Sequence, residues 1–316
     1  MEQPRGKIVT IGEILVDIIA LERGRGFREP LALSGPYPGG APAIFAAQVG
    51  RLGHPVGIIA CVGDDDFGWL NIKRLQRDGV DVSAVKIHDD HVTASAFLRY
   101  REDGDRDFLF NLKRSAAGQI ALDAPARMLL DECGHFHVMG SSLFSFHIVD
   151  EVKKAMEIVK VQGGTVSFDP NIRKEMLDIP EMRAALEYML QFTDIFLPSG
   201  PELLLPTEAK TEAEAIEALF ALGVSRIVIK RSAQGASYRD REMAIDMPGY
   251  PVTEADPTGA GDCFGATFIA CLRQAMPIAD CLRYANAAGA LAVSRRGGME
   301  GISSLEEMHN LIAGAG

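Results

Sequence analysis

The sequence predicts an α/β domain, a mostly parallel sheet with helices on both faces and a small β-rich lid. Three observations lead there. From Asp123 onward, short apolar runs of strand length alternate with longer stretches of helix length, the rhythm of βαβ units. Between Val85 and Asn111 the rhythm changes to short alternating β pieces around Glu102-Asp103-Gly104-Asp105. Towards the C-terminus, Asp256-Pro257-Thr258-Gly259-Ala260-Gly261-Asp262 turns tightly into a helix that is apolar nearly all round.

Taken in order, Lys7–Ile11 reads as a strand ended by Gly12-Glu13. Ile14–Ala20 resumes as a strand interrupted by Asp17. Alternation alone turns Asp17 to solvent; otherwise the charge faces a ligand. Gly39-Gly40-Ala41-Pro42 opens a helix over Ala43–Leu52, and the paired glycines permit a ligand to approach the backbone. Pro55–Val62 is a strand. Asp64-Asp65-Asp66 then caps a helix to Arg77, because carboxylates suit helix starts better than they suggest a metal. Val85–His88, Thr93–Arg101 and Asp107–Asn111 make a two-faced ribbon, with Phe97, Arg99 and Arg101 on one face and Leu98 and Tyr100 on the other. A ribbon of this kind inside a βα chain suggests a lid, drawn from about 13–38 and 85–112 of a single domain spanning 1–316.

Strands follow at His135–Met139, Thr165–Asp169, Ile195–Pro198 and Arg226–Lys230, with helices between. Thr211 and Glu214 form a capping box for the helix to Leu222. Ala236–Arg239 and Glu242–Met247 form a hairpin, and Cys263–Ala275, Ile278–Ser294 and Leu305–Ile312 are helical.

Composition bounds the partners. With 316 residues, 47% of them hydrophobic, the chain can bury a large core. A net charge of −11 argues against an extended nucleic-acid surface. No apolar run is long enough to span a membrane, and no apolar signal segment follows Met1–Lys7. Five scattered cysteines without a CxxC pair suggest neither a zinc site nor a disulfide frame, and fit reduced thiols in the cytoplasm.

The turn at Gly259 to Gly261 carries the chemistry. A helix starting near Gly261 aims unpaired backbone N–H groups into the turn, and its dipole reinforces them as an anion site. Asp262 then stands in the first helical turn beside the anion. A phosphate cradle next to a carboxylate is what phosphoryl transfer to a hydroxyl needs. The bland alternative is a glycine turn that merely caps a buried helix. Cys263 is either acidified by the helix start or a small buried residue. No dinucleotide fingerprint, Walker loop or protein-kinase string occurs; Phe264 stands where the first needs glycine, and Lys210-Thr211 lacks the glycine of the second.

Three further strings follow strand ends, where ligands bind in open α/β sheets. In Asp169-Pro170-Asn171-Ile172-Arg173, Arg173 either clamps a phosphate or carboxylate or is a surface residue. Ser199-Gly200-Pro201-Glu202 is the second. In Lys230-Arg231-Ser232-Ala233-Gln234-Gly235, Lys230 is either a phosphate neighbour or a snorkelling strand end.

Asp256–Phe268 resembles the C-terminal signature of the ribokinase (PfkB) family of carbohydrate kinases, and Gly39–Gly53 its N-terminal signature. The likeness runs from Gly12 to Gly301 and implies a ribokinase-like fold that uses ATP and Mg²⁺ to phosphorylate a sugar hydroxyl. It makes Asp262 the general base and Gly259, Ala260 and Gly261 the anion hole. It places Asp17, Gly39, Gly40, Arg101, Asp169, Arg173 and Asp262 at the sugar. Lys230, Ser232, Gly235, Gly259, Gly261 and Asn286 fall at the nucleotide. Glu202 would hold Mg²⁺ through water, and carbonyls near Asp256 and Thr258 a monovalent cation such as K⁺. A homodimer joined by lid edges is also implied. Three positions depart from the pattern: Ala43-Ile44 and Ser199 replace asparagines, and Ser232 replaces a glycine.

Gly39-Gly40-Ala41-Pro42 and Arg101-Glu102-Asp103-Gly104 look like fructokinases and tagatose kinases, whereas Arg99, Arg101 and Asp169 to Arg173 look like 2-keto-3-deoxygluconate kinases. Glu102 and Asp105, adjacent to the arginines as ion-pair partners, favour a neutral ketohexose. A catalytically silent sugar or nucleotide sensor is the other reading; the lost asparagines support it and Asp262 opposes it. The helix dipole and amides lead one to expect Asp262 ionised at neutral pH.

Overall fold

The computed structural model describes residues 6–103, 106–171 and 180–314. The strands are β1 (Lys7–Ile11), β2 (Leu15–Ala20), β3 (Leu33–Gly39), β4 (Val56–Gly63), β5 (Val80–Asp81), β6 (Val85–His88), β7 (Ala94–Tyr100), β8 (Arg106–Asn111), β9 (Cys133–Met139), β10 (Thr165–Asp169), β11 (Ile195–Phe196), β12 (Arg226–Lys230), β13 (Ala236–Arg239) and β14 (Ala244–Met247). The helices are α1 (Ala41–Arg51), α2 (Asp66–Arg77), α3 (Ala124–Asp131), α4 (Phe146–Val161), α5 (Pro180–Phe192), α6 (Glu212–Ala221), α7 (Ala260–Arg273), α8 (Ile278–Val293) and α9 (Leu305–Gly314).

Strands buried on both faces need covering on both faces, and the large sheet has that cover. Its order is β14-β13-β12-β11-β10-β9-β1-β4-β5, with β6 also beside β4. All its pairings from β12 to β5 are parallel, and β13 and β14 close one end as an antiparallel hairpin. One face packs on α1, α7 and α8 through residues such as Phe45, Phe268 and Leu282. The other packs on α3 to α6 through Phe136, Phe168 and Leu219. The result is the mostly parallel, two-faced architecture that the sequence predicts. No helix among the described residues is long and apolar enough to cross a membrane.

A second, four-stranded sheet runs β3-β2-β7-β8. Its buried side is small, with Leu15, Ala94, Ala96 and Ala117 clustered together. One feature of this region differs from the sequence reading. Val85–His88 is no part of the ribbon; it pairs in parallel with β4 and widens the large sheet. Leu33–Gly39 is an edge strand although it contains Pro36 and Pro38, which an edge tolerates because it has no outer partner to satisfy.

Two helices start earlier than the sequence reading has them. Pro42 lies inside the first turn of α1, where its missing N–H costs nothing, so the helix begins before the proline. α7 begins at Ala260, capped by Gly259, one residue ahead of Gly261. Asp65 caps α2 as expected, accepting from Gly68 N–H at 2.8 Å.

Candidate active site

The turn before α7 is held from three sides. The Asp256 carboxylate accepts from Thr258 N–H at 3.0 Å, from Gly297 N–H at 2.9 Å and from the Tyr100 hydroxyl at 3.0 Å. Gly259 sits in the left-handed region at φ +83°, and a Cβ there would lie 3.0 Å from the Gly298 carbonyl oxygen. Ile44, which stands in place of an asparagine, is the apolar wall behind this turn, 3.3 Å from that Cβ position. The first-turn amides of α7 therefore open onto a tight, glycine-lined hollow.

Asp262 enters this hollow from the first turn of α7 and is 8% exposed. Lys230, at the end of β12, reaches Asp169 at the end of β10 with Nζ 2.5 Å from Oδ2. A Cβ on Gly261 would lie 3.4 Å from that same Nζ, so the lysine ammonium borders the phosphate turn. Lys230 is thus a buried ion-pair partner and not a snorkelling strand end. Burial opposes its charge, but Asp169, Glu202 and Asp262 outweigh it and hold the ammonium above its ordinary value. Burial pushes Asp169 up to about 6, against the pull of Lys230.

The expectation that Asp262 is ionised at neutral pH is overturned. Burial, reinforced by Asp169, pushes its carboxyl up to about 8 despite Lys230. Desolvation exceeds the helix-start effect because no solvent shares the charge. Cys263 follows the bland reading: it is fully buried, and burial pushes its thiol up, away from reactivity.

Asp17 projects from β2 on the second sheet and is buried, which corrects the solvated-face reading. A Cβ on Gly39 would stand 2.3 Å from its Oδ2, so only glycine leaves that carboxylate its place. Burial, then Asp256 and Glu13, push Asp17 up to about 7. Gly40, at φ +101°, lies against the backbone of Glu13. Glu13 itself escaped the sequence reading. It is buried and accepts from Ser141 Oγ at 3.0 Å and Ser142 Oγ at 2.7 Å. A charge placed directly after Gly12 at a strand end was the available signal.

The arginines of β7 and its loop do pair with acids. Arg99 meets Asp107 at 2.6 Å, and Arg101 lies 3.7 Å from Asp107 and 3.8 Å from Asp103. An antiparallel hairpin puts Asp107 opposite Arg99, which sequence adjacency does not reveal. Asp105 and Arg173 lie outside the described residues.

At the other end of the site, Ser232 adopts φ +51°, a left-handed conformation that glycine takes most readily. Gly235 is confined by Met247, whose carbonyl oxygen would lie 2.0 Å from an added Cβ. The Asn286 amide bonds the carbonyls of Met247 at 3.3 Å and Pro248 at 3.1 Å, tying α8 to the end of the β13–β14 hairpin. Glu202 accepts from Ser199 N–H at 2.7 Å, so Ser199 serves as a cap where asparagine was expected. Among the described residues no cluster of three or more His, Cys, Asp or Glu side chains could hold a metal directly. The hard oxygens of Glu202 fit a magnesium ion contacted through water.

Comparison with known proteins places this geometry. The family model described as pfkB family carbohydrate kinase matches residues 5–305. An E. coli structure described as a candidate ribokinase II in complex with ATP and Mg²⁺ is 53% identical, with a TM-score of 0.94, covering 98% of this chain and 99% of that one. A Vibrio cholerae fructokinase solved with fructose, ADP and calcium is 26% identical with a TM-score of 0.79, covering 97% and 99%. Fructokinase-1 of Zea mays is 29% identical over 321 residues, 99% of each chain. The chain therefore belongs to the pfkB family of carbohydrate kinases, phosphotransferases that act on a sugar hydroxyl.

Proposed function

We propose that the protein transfers the γ-phosphoryl group of ATP to a hydroxyl of a neutral ketohexose of the fructose or tagatose type. The observation that carries the reading is Asp262: a buried carboxylate in the first turn of α7, between the phosphate turn and Lys230. In its ionised form it takes the proton of the sugar hydroxyl. The hydroxyl oxygen bonds to the γ-phosphorus, the bond to the bridging oxygen breaks, and ADP leaves. The amides of Gly259, Ala260 and Gly261 hold the phosphate oxygens as charge redistributes. The raised proton affinity makes Asp262 a stronger acceptor than an ordinary carboxylate, while leaving less of it ionised at neutral pH.

Asp17, Gly39, Gly40 and Asp169, with Arg101 at the rim, bind the sugar, and Arg173 is assigned to it from the sequence alone. Lys230, Ser232, Gly235 and Asn286 border the nucleotide. Mg²⁺, contacted by Glu202 through water, would neutralise the phosphates, and the carbonyls of Asp256 and Thr258 would hold a monovalent cation such as K⁺. The second sheet acts as the lid, and its open edges β3 and β8 join two protomers. The preference for a neutral sugar rests on Arg99 and Arg101, whose charge is balanced by Asp107 and Asp103. The vicinity of fructokinases among relatives supports it.

A coupled assay of ADP release over hexoses, ketohexoses, pentoses, 2-keto-3-deoxygluconate and nucleosides tests the reading. Fructose or tagatose should give the highest kcat/KM. Far higher kcat/KM on the keto acid would overturn the substrate class, and no turnover on any of them would favour the sensor.

A further inference from the structure

We propose that Arg74 is a positioning residue for the phosphate turn, fixing from α2 the segment on which Gly259 rests. The inference rests on the kinase reading above. Between α8 and α9 the chain makes a short turn over Gly298–Gly301, in which Gly298, Met299 and Gly301 are buried. This segment supports the phosphate turn. Just ahead of it, the Gly297 N–H donates to the Asp256 carboxylate at 2.9 Å, and the Gly298 carbonyl oxygen would lie 3.0 Å from a Cβ on Gly259. Buried irregular backbone has no ladder to satisfy it and must find side-chain partners. Arg74 is one of them. Its guanidinium donates to the Met299 carbonyl oxygen and to the Glu300 carboxylate, and its Nε donates to Asp78, at the end of its own helix, at 2.6 Å. Gln48 of α1 holds the far end of the segment. Its Nε2 donates to the Ser303 carbonyl oxygen, and its Oε1 accepts from the Ser303 N–H, each at 2.9 Å.

Arg74 and Asp78 are both buried. Replacing a buried ion pair by apolar residues of similar volume is often neutral for stability, so what such a pair supplies here is fixed geometry. One planar guanidinium aims its N–H groups at three acceptors, two of them on the supporting segment; an ammonium in its place keeps the charge and loses the fork. Asn71 on the preceding turn of α2 donates to the Leu15 carbonyl oxygen at 3.1 Å, on the strand that carries Asp17. The support of the phosphate turn and the strand of Asp17 therefore share one anchoring helix. Amides that stabilise developing charge must stand in place before the reaction, and a misplacement of about 1 Å costs about 10² in rate. Arg74 touches no reacting atom, so its influence passes through Met299 and Gly298 to the turn and falls on kcat.

The test compares Arg74→Met and Arg74→Lys with the unaltered protein. Amide hydrogen exchange at Gly297 and Thr258, whose N–H groups both bond Asp256, is followed beside Tm and steady-state kinetics on the best sugar of the panel. In Arg74→Met, exchange at these two amides should speed up about ten-fold or more, while amides of the β1–β9 ladder keep their rates. The kcat should fall by about 10–10², with sugar KM within a few-fold. Arg74→Lys should keep Tm near that of the unaltered protein and still lose most of the kcat that Arg74→Met loses, because the fork and not the charge sets the segment. If Arg74→Met fails to fold, Arg74→Lys carries the test on the same readouts. Unchanged exchange at Gly297, or an unchanged kcat, overturns the proposal. So does faster exchange throughout the chain with a lowered Tm and with kcat and KM altered together, the mark of a role in stability alone. If the unaltered protein phosphorylates no sugar, the kinase reading has failed, and exchange at Gly297 and Thr258 decides whether Arg74 holds the turn.

Discussion

Two cation–aspartate pairs differ in their surroundings, one beside the candidate site at the end of the large sheet and one on the second sheet, on the face of β7 opposite to Tyr100. Lys230 and Asp169 have side chains 12% and 1% exposed; Arg99 and Asp107 are 28% and 37% exposed. The first pair sits among other carboxylates with no water to share the charge, so each group shifts the proton affinity of its neighbours. The second pair is screened by solvent and contributes little to stability. The same chemistry therefore does different work in the two regions. At the sheet end it sets which carboxylate holds a proton. On the second sheet it balances charge at the surface.

The sharpest way to break this contrast is at Asp262. Asp262→Asn keeps the shape of the side chain and removes the proton acceptor. Its kcat should fall by about 10²–10⁴, the usual cost of a lost general base, with ATP affinity little changed. Near-normal kcat in the folded variant would sink the assignment. The unaltered enzyme should gain kcat/KM as pH rises towards about 8, as Asp262 ionises. Stability should move the other way. Between its unfolded value near 3.8 and its folded value of about 8, the folded chain holds a proton that the unfolded chain releases. That contribution is complete at low pH and is lost as pH rises through this window. Asp262→Asn should therefore raise Tm, and by more at pH 8 than at pH 5. A Tm gain that does not grow with pH would show that the carboxylate is not desolvated as described.

Lys230→Met tests the same region from the cationic side. Removing one partner of a buried pair costs about 3–5 kcal/mol, because an uncompensated charge remains. The sign with pH follows from Asp169, whose carboxyl already stands at about 6 with the lysine present. Without Lys230 it must be protonated to stay buried, which is easy at pH 5 and costly at pH 8. Denaturant midpoints should thus fall further at the higher pH. Equal losses at both would mean that the lysine stem, not its charge, holds this corner.

The difference between the regions also explains what the sequence made legible. The phosphate turn is local: Gly259, Gly261 and Asp262 lie within four residues, and the helix start that they build follows from backbone geometry. The parallel sheet is legible because strands buried on both faces leave apolar runs. Asp17 was misplaced by alternation because its face of β2 is turned to the hollow, where Asp256 and Glu13 lie, and not to water. The Lys230–Asp169 pair joins residues 61 apart, and Arg106 meets Thr258 across 152. No local pattern announces such contacts. Val85–His88 alternates as the ribbon does, so its place beside β4 is a tertiary choice between two edges that each accept it.

The smallest expected effect lies on the second sheet, at Arg101. Its side chain is 43% exposed, and Asp107 and Asp103 stand 3.7 and 3.8 Å from its Nε. An exposed pair of this kind is worth about 0–1 kcal/mol, so Arg101→Ala should leave Tm nearly unchanged. For a neutral ketohexose, KM should rise by no more than a few-fold, because the sugar offers no charge for the guanidinium to meet. A sugar acid would behave otherwise, since a carboxylate gripped by arginine makes charge-assisted hydrogen bonds worth about twice a neutral one. Measuring both KM values in the same variant separates the cases. A rise of a hundred-fold or more for the ketohexose would place Arg101 inside the site and not at its rim, and would remove the contrast between the two sheets on which the neutral-sugar reading depends.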